Sequence, residues 1–382
     1  MSDRSVYESK LKQVQQTIRC ENQNVSTAFM GKSCGFSYYG MTLSDVLKYP
    51  LKAAETSVNY VETIEKQAGQ VLCFNSFQPT NITIPLAKGS FSKVLSPGVD
   101  LDDDVIWQVD EQEIMKKEDY VKLIRNGYEW FFNKFFFKVV KRNVYADYLR
   151  KEKLYQSLGY EYAYSHGFPV LANCMEVVAT PFESLAGARG IKQFFMDCHE
   201  DIELVSEAIE VFWAGYRKHI IRIIKSHEDQ DDSIGAFITG QRSASNMINH
   251  DWFTRLVLPN LLDFGNILIQ SGKVPIFHLD LNWDREIEFI KNFPEKTVMI
   301  NTDGNTSQKN IREKLGDNYA LIGDIPHTLL LYGSESEVRE YIIRQLDEIG
   351  AKGLFICPGC DAPYGTPHEN FIAMYQAAYQ WH

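Results

Sequence analysis

The sequence predicts a (β/α)8 barrel, and three observations carry that prediction. From about residue 168 onward, short apolar runs alternate with helical patterns of about 10 to 20 residues. The runs are almost continuously apolar, as parallel strands covered on both faces are. An open doubly wound sheet would want a Gly-rich phosphate turn after an early strand, and the sequence has none.

Taken in order, residues 1–65 read as an N-terminal helical extension packed on the barrel. Their first stretch, MSDRSVYESKLKQVQQTIRC, is polar and helical in pattern, without an apolar signal core. Thr42 to Val61 carries helical spacing through Leu43, Val46, Leu47 and Leu51, broken at Pro50. Residues 66–382 form the barrel. Its first strand is expected at Val71–Phe74. Residues 77–160 read as an excursion over the barrel, with a turn at Leu95–Val99 and a long aromatic helical region from about Lys117 to Tyr148. Within it, Trp130–Phe137 is short and interrupted by Asn133 and Lys134, which suits a buried aromatic patch. Six more strands are expected at Pro169–Ala172, Gly235–Ile238, Val274–Phe277, Val298–Ile300, Ala320–Ile322 and Leu354–Ile356. An eighth is placed around Thr328–Tyr332. Between them, Ile202 to Ile223 shows one apolar helical face. Ser334 and Glu337 form a capping box, with Gly350 at the helix stop. Thr366-Pro367 repeats that logic, with Pro at the first helical position.

The 382 residues carry a net charge of −11. Such a balance argues against nucleic acid and anionic membranes as partners, and suits a partner with a basic face. No run approaches the ~18 apolar residues of a membrane span. The seven cysteines are scattered and odd in number. They read as reduced thiols of a cytoplasmic protein, most of them small buried hydrophobes. The sequence leaves the oligomeric state open, a homodimer included.

Polar residues just past the carboxyl end of each barrel strand converge on one mouth. That rule selects Glu176, Gln241, Arg242, His278, Asp280, Asp303, Asp324, Cys357 and Cys360. His, Cys and four carboxylates are what a metal or acid–base site needs. His278 and Asp280 are two apart, so an extended strand points both the same way. A lone His-x-Asp is common, and an imidazole held by a loop hydrogen bond is the plainer alternative. Cys357-Pro358-Gly359-Cys360 lacks the second CxxC of a zinc knuckle and the helix directly following a redox pair. A single thiolate from Cys360 meeting His278 fits better, with Cys357 structural. Phe74, Phe77 and Trp107 are candidates for an aromatic pocket, against the ordinary alternative of core packing. Glu176, Asp303 and Asp324 are candidate catalytic carboxylates; Arg242, Phe74 and Trp107 are candidate substrate contacts.

The stretch Ile356 to Asn370 (ICPGCDAPYGTPHEN) resembles the C-terminal signature of the uroporphyrinogen decarboxylase superfamily. Leu321 to Leu330 (LIGDIPHTLL), followed by Gly333 to Val338, is similar to a second family segment, and Glu176 to Glu183 (EVVATPFE) to a third. The likeness spans roughly residues 95–382. Members that decarboxylate tetrapyrroles hold substrate with an Arg-Gln-Ala-Gly-Arg segment. Here Lys66-Gln67-Ala68-Gly69-Gln70 stands instead, without either arginine. The other branch moves methyl groups to or from the cobalt of a separate corrinoid (cobalamin) protein, and its zinc members use His-x-Cys and a later Cys. The resemblance therefore implies His278, Asp280 and Cys360 as zinc ligands, with Asp in the place of the first Cys and Glu176 as a possible fourth. A carboxylate in place of a thiolate hardens the metal and improves it as a Lewis acid toward oxygen. The expected reaction is transfer of a methyl group from a small O-methylated substrate, such as an aryl methyl ether, to corrinoid cobalt. The alternatives are a metal-free tetrapyrrole decarboxylase, transfer from methylcorrinoid to an acceptor, and a non-catalytic binding protein.

Overall fold

The structure, a computed structural model, describes residues 3–77, 82–227 and 233–381; the side chains at 3, 152, 153, 156, 173–178, 226 and 227 lie outside that description. Eight parallel strands close into a barrel: β1 Ser26–Phe29, β2 Cys73–Phe77, β3 Val170–Ala179, β4 Gly235–Gly240, β5 Val274–Leu279, β6 Met299–Thr302, β7 Ala320–Ile325 and β8 Leu354–Pro358. They follow one another around the ring, and β1 pairs with both β2 and β8. The expected barrel is therefore present. Its eighth strand, however, is Ser26–Phe29, inside the segment read as a helical extension. Thr328–Tyr332 instead falls in a short helix, His327–Tyr332, which starts directly after Pro326. Proline supplies no N–H, so it suits the entry to a helix where no donor is needed.

Alternation along the strands sorts every side chain. Leu72, Cys73, Leu171, Phe237, Ile276, Met299, Ile322, Phe355 and Cys357 fill the barrel interior. Phe74, Phe277, Ile300, Leu321 and Ile356 face the surrounding helices. Helix α1 (Asp3–Ile18) places Val14 and Ile18 in the interior cluster, with Cys20 just beyond it, and so stops the amino-terminal end of the barrel. Each such side chain is worth about 1.5–3 kcal/mol when fully buried.

The stretch expected to be helical, Lys117–Tyr148, holds two helices, Asp119–Val139 and Arg142–Ser165, with Gly127 at φ +79° interrupting the first, and the turn-rich part before it carries a two-stranded sheet of Lys93–Leu95 and Gln108–Asp110. Phe131, Phe135 and Phe136 are fully buried. Phe131 meets Phe91 and Phe212 at ring separations of 4.9 and 5.3 Å. Asp119 pins the start of this helix, accepting from Lys134 and Lys122 at 2.8 and 2.9 Å and from the Lys116 backbone at 3.1 Å. Near the amino terminus, helices Leu43–Lys48 and Pro50–Ala68 break at Tyr49 as Pro50 requires, and the Ser334–Glu337 capping box is present. At the last helix, His368–Gln380, Pro367 takes the cap position itself rather than the first turn.

Among the described residues, no helix is long and apolar enough to cross a membrane.

Candidate active site

The carboxyl ends of the strands open on a cavity of about 240 Å³. Its floor carries His278 and Asp280 from the end of β5, Phe237 and Thr239 from β4, and Cys360 from beyond β8. Its walls come from the excursion, with Ile82, Leu86, Ile106, Trp107 and Val109. The lining is mostly apolar, with titratable groups that include Lys32, Glu183, Arg242, His278, Asp280 and Cys360.

His278 points inward by the same alternation as Ile276, two residues earlier. Its Nδ1 lies 3.0 Å from the Asn301 side-chain oxygen. That oxygen also accepts from Asn75 Nδ2 at 3.1 Å, while Asn301 Nδ2 donates to the Gly359 carbonyl at 3.2 Å. The amide is thus oriented by its neighbours, and His278 Nδ1 must be the donor. The remaining nitrogen, Nε2, faces Asp280 Oδ1 at 3.4 Å. An unprotonated Nε2 and a carboxylate are both acceptors, so this approach requires a cation between them, a proton or a metal. With a proton there, burial lowers the His278 pKa, but Asp280, Cys360 and Asn301 together overcome it and raise it to about 10. Burial raises the Asp280 carboxyl, with His278 opposing.

Cys360 reaches the mouth because Gly359 lets the chain pass close to β6. A Cβ at Gly359 would come within 2.6 Å of Asp303 Cα, and Gly359 N donates to the Ile325 carbonyl at 3.1 Å. Burial pushes the Cys360 thiol up, but hydrogen bonds from His278 and His327 overcome it and bring its pKa to about 7. Cys357 faces the barrel interior, fully buried, and its thiol is driven well up by burial.

The other sequence candidates divide. Trp107 and Arg242 line the cavity. Arg242 is already charge-paired: its Nε and Nη2 donate to Glu111 at 2.9 and 2.5 Å, and Glu183 stands 3.7 Å from Nη1. Gln241 lines the cavity too, through a loop held by Glu183. Phe74 does not reach it. It faces outward and packs against Phe29, Phe77 and Phe168 at ring separations of 4.9 to 5.7 Å. Asp303 is spent on loop structure, accepting from Asn305 N in its own loop and from Leu281 N in the loop after β5. Asp324 turns away from the mouth, where alternation breaks at Gly323, φ +109°. It accepts from Tyr341 and Gln345 of helix Glu335–Ile349 at 2.8 and 3.0 Å, and burial raises its pKa to about 6. Glu176 lies on β3, and its side chain is outside the described residues.

Three contributors were not singled out in the sequence. Glu183, 3% exposed, accepts from the backbone N–H groups of Gln241, Arg242 and Ser243 and from the Ser243 hydroxyl, at 2.7 to 3.0 Å. It sits one turn into helix Pro181–Arg189, so the strand-end rule passes over it. Asn301 was legible as the polar residue directly after Ile300. His327 follows Pro326 at the start of its short helix and stands against Cys360.

The donor set suits zinc in its chemistry: an imidazole with Nδ1 tied to an amide oxygen and Nε2 free to exchange its proton for a metal, a carboxylate beside it, and a thiol disposed to ionise near neutrality. The donors are neighbours rather than a preformed cage. Among the described residues, no three His, Cys, Asp or Glu side chains converge as a metal-holding group.

A family model described as uroporphyrinogen decarboxylase (URO-D) matches residues 173–381. No curated protein matches the chain. Among solved structures, a methyltransferase from Methanosarcina mazei superposes with a TM-score of 0.66 at 13% identity, covering 96% of this chain and 97% of its own. At that identity the likeness establishes the fold.

Proposed function

The chain belongs to the uroporphyrinogen decarboxylase family, and we propose that it is a methyltransferase of that fold. In this reading it moves a methyl group between a small O-methylated compound, such as an aryl methyl ether, and the cobalt of a separate corrinoid protein. The observation that carries it is the His278 Nε2–Asp280 pair at 3.4 Å, where a metal can take the place of the bridging proton, with Cys360 lining the same cavity. His278, Asp280 and Cys360 would hold zinc. When bound, zinc supplies Lewis acidity toward the oxygen that gives up the methyl group.

The chain's own residues do the rest. Asn301 holds the Nδ1 proton and so keeps Nε2 turned to the mouth. Trp107, Ile106 and Phe237 offer an apolar wall for the body of the substrate and exclude water from the reacting end. Positioning of this kind, rather than proton transfer, is what displacement at a methyl carbon requires. The breaking C–O bond leaves its electron pair on oxygen, and the corrinoid cobalt(I) supplies the pair that forms the new bond. The methyltransferase name of the Methanosarcina mazei structure agrees with this reading. All six described cysteines are free, in keeping with a reduced cytoplasmic setting. A tetrapyrrole decarboxylase would need cations for its many carboxylates. Among the described lining residues the cations are Lys32 and Arg242, and Arg242 is neutralised by Glu111 and Glu183.

The test is metal analysis joined to turnover. Purified protein should hold about one zinc per chain, lost in His278→Ala and in Cys360→Ala. Methyl ethers, methanol and methylamines should then be screened with reduced corrinoid protein, with the ether expected to be demethylated. Wild-type protein that stays metal-free when supplied with zinc sinks the proposal.

A further inference from the structure

Helix Lys32–Tyr38 starts just past the end of β1, and the chain is pinned on both sides of Lys32. The Met30 carbonyl accepts from Ala362 N at 3.2 Å, and Ser33 donates to Asp361 through its backbone N at 3.4 Å and its hydroxyl at 2.5 Å. Gly31 makes the turn possible, since a Cβ there would come within 2.5 Å of the Phe371 ring. Lys32 is thereby fixed at the β1 edge of the mouth. His278 and Asp280 come from the end of β5, four strands away in a ring of eight and so on the opposite side. Both edges line the same cavity.

The other charges of that lining are spoken for. Arg242 is paired with Glu111 and Glu183, and Glu183 also holds the Gln241–Ser243 backbone. Both carboxylate oxygens of Asp361 accept from Ser33, and Asp280 faces His278. Among the described residues, partly buried Lys32 makes no ion pair and no hydrogen bond. It also borders a second, mostly apolar cavity of about 50 Å³, and Ile106 and Trp107 line both. An ammonium between apolar walls attracts an anion more strongly than one in open water, because it is less screened.

Resting on the functional reading above, we propose that the O-methylated substrate carries a carboxylate, and that Lys32 receives it while the methoxy end reaches across the mouth to His278 and Asp280. One carboxylate is the class that fits, rather than a phosphate or a polyacid. A single uncommitted cation balances one negative charge, and Glu183, Asp280 and Asp361 in the same lining repel a second. An apolar wall grips a ring in either direction; the lysine decides which end enters.

Calorimetric titration with 4-methoxybenzoate and its neutral isostere 4-methoxybenzamide reads this contact. Each is titrated into zinc-treated protein and again after chelation, so that a carboxylate captured by the metal is told apart. Wild-type protein is expected to bind the carboxylate about 10–100-fold more tightly than the amide in both states, the range of a charge-assisted hydrogen bond. Lys32→Met should erase the difference and leave the amide affinity unchanged, and Lys32→Arg should keep most of it. Thermal melts confirm that both variants fold. Equal affinities in wild type, no binding of either ligand, a preference that survives Lys32→Met or disappears on chelation, or a loss shared by both ligands overturns the proposal. A Lys32-dependent preference with no methyl transfer to reduced corrinoid protein keeps the carboxylate site and sinks the functional reading. Demethylation of neutral ethers without such a preference does the reverse.

Discussion

Two polar clusters share the barrel mouth, and they are built on opposite principles. At one side Glu183 accepts four hydrogen bonds, and the arginine it helps to orient is paired with Glu111 as well. That cluster is closed: each donor named has an acceptor. At the other side a cation, a proton or a metal, must lie between His278 Nε2 and Asp280, and His327 Nε2 has no hydrogen-bond partner. This second cluster is open: what bridges it can be exchanged. A closed buried network fixes a loop and specifies a shape. An open one stores affinity for whatever completes it.

The contrast can be broken first at Glu183. Replacing it with Ala strands three backbone N–H groups, a hydroxyl and part of the charge on Arg242. Stability should fall by about 3–5 kcal/mol, read by urea denaturation, while zinc content per folded chain is unchanged. A loss below about 1 kcal/mol would show that the network is not closed in the sense argued.

A smaller effect is expected from acid. Burial alone would raise the Asp119 carboxyl, but hydrogen bonds from Lys134 and Lys122 overcome it and hold its pKa at about 2. Because the folded value lies below the ordinary one, the stabilisation is present above pH 4 and is lost as pH falls toward 2. Allowing for solvent around the two lysines, it amounts to about 1–2 kcal/mol. Asp119→Asn should be less stable than wild type at pH 7, with the gap closing toward pH 2. A gap independent of pH would assign the effect to packing rather than charge.

The smallest change is at the exposed end of the closed cluster. Glu111→Gln removes one charge from a partner that water already reaches, and should cost under about 1 kcal/mol. Arg242 would still hold Glu183. If this variant unfolds as readily as Glu183→Ala, the excursion rather than the barrel supports the loop.

The sequence was legible where apolar runs are long and parallel. Strands β3 to β8 were found within one or two residues at their starts, but most run further than expected, because the inward-facing residues near their ends are polar: His278 on β5 and Asn301 on β6. Strand β1 was missed for the opposite reason. Ser26-Thr27-Ala28-Phe29 is four residues long and half hydroxylic, so it carries no apolar run, and the Leu-rich Thr328–Tyr332 was taken in its place. The strand-end rule found His278, Asp280 and Cys360, since alternation and the mouth are generic to the fold. It failed where position on the strand does not decide direction. Phe74 has the wrong parity for the interior, and Asp324 follows a glycine at which the alternation breaks. Glu183 belongs to a helix, and no strand rule could reach it.

The pairing of β1 with β8 joins Ser26 to Phe355 across almost the whole chain. On the ribosome this means that the ring stays open until β8 has been made. His278 and Asp280 emerge well before Cys360, 82 residues further on, an interval of roughly 4–16 s at typical elongation rates. During that interval the nascent chain presents His278 and Asp280 without the thiol of Cys360. If these three side chains hold zinc as proposed, the metal site waits for β8 and the loop beyond it, and a chain truncated before β8 lacks the thiol donor.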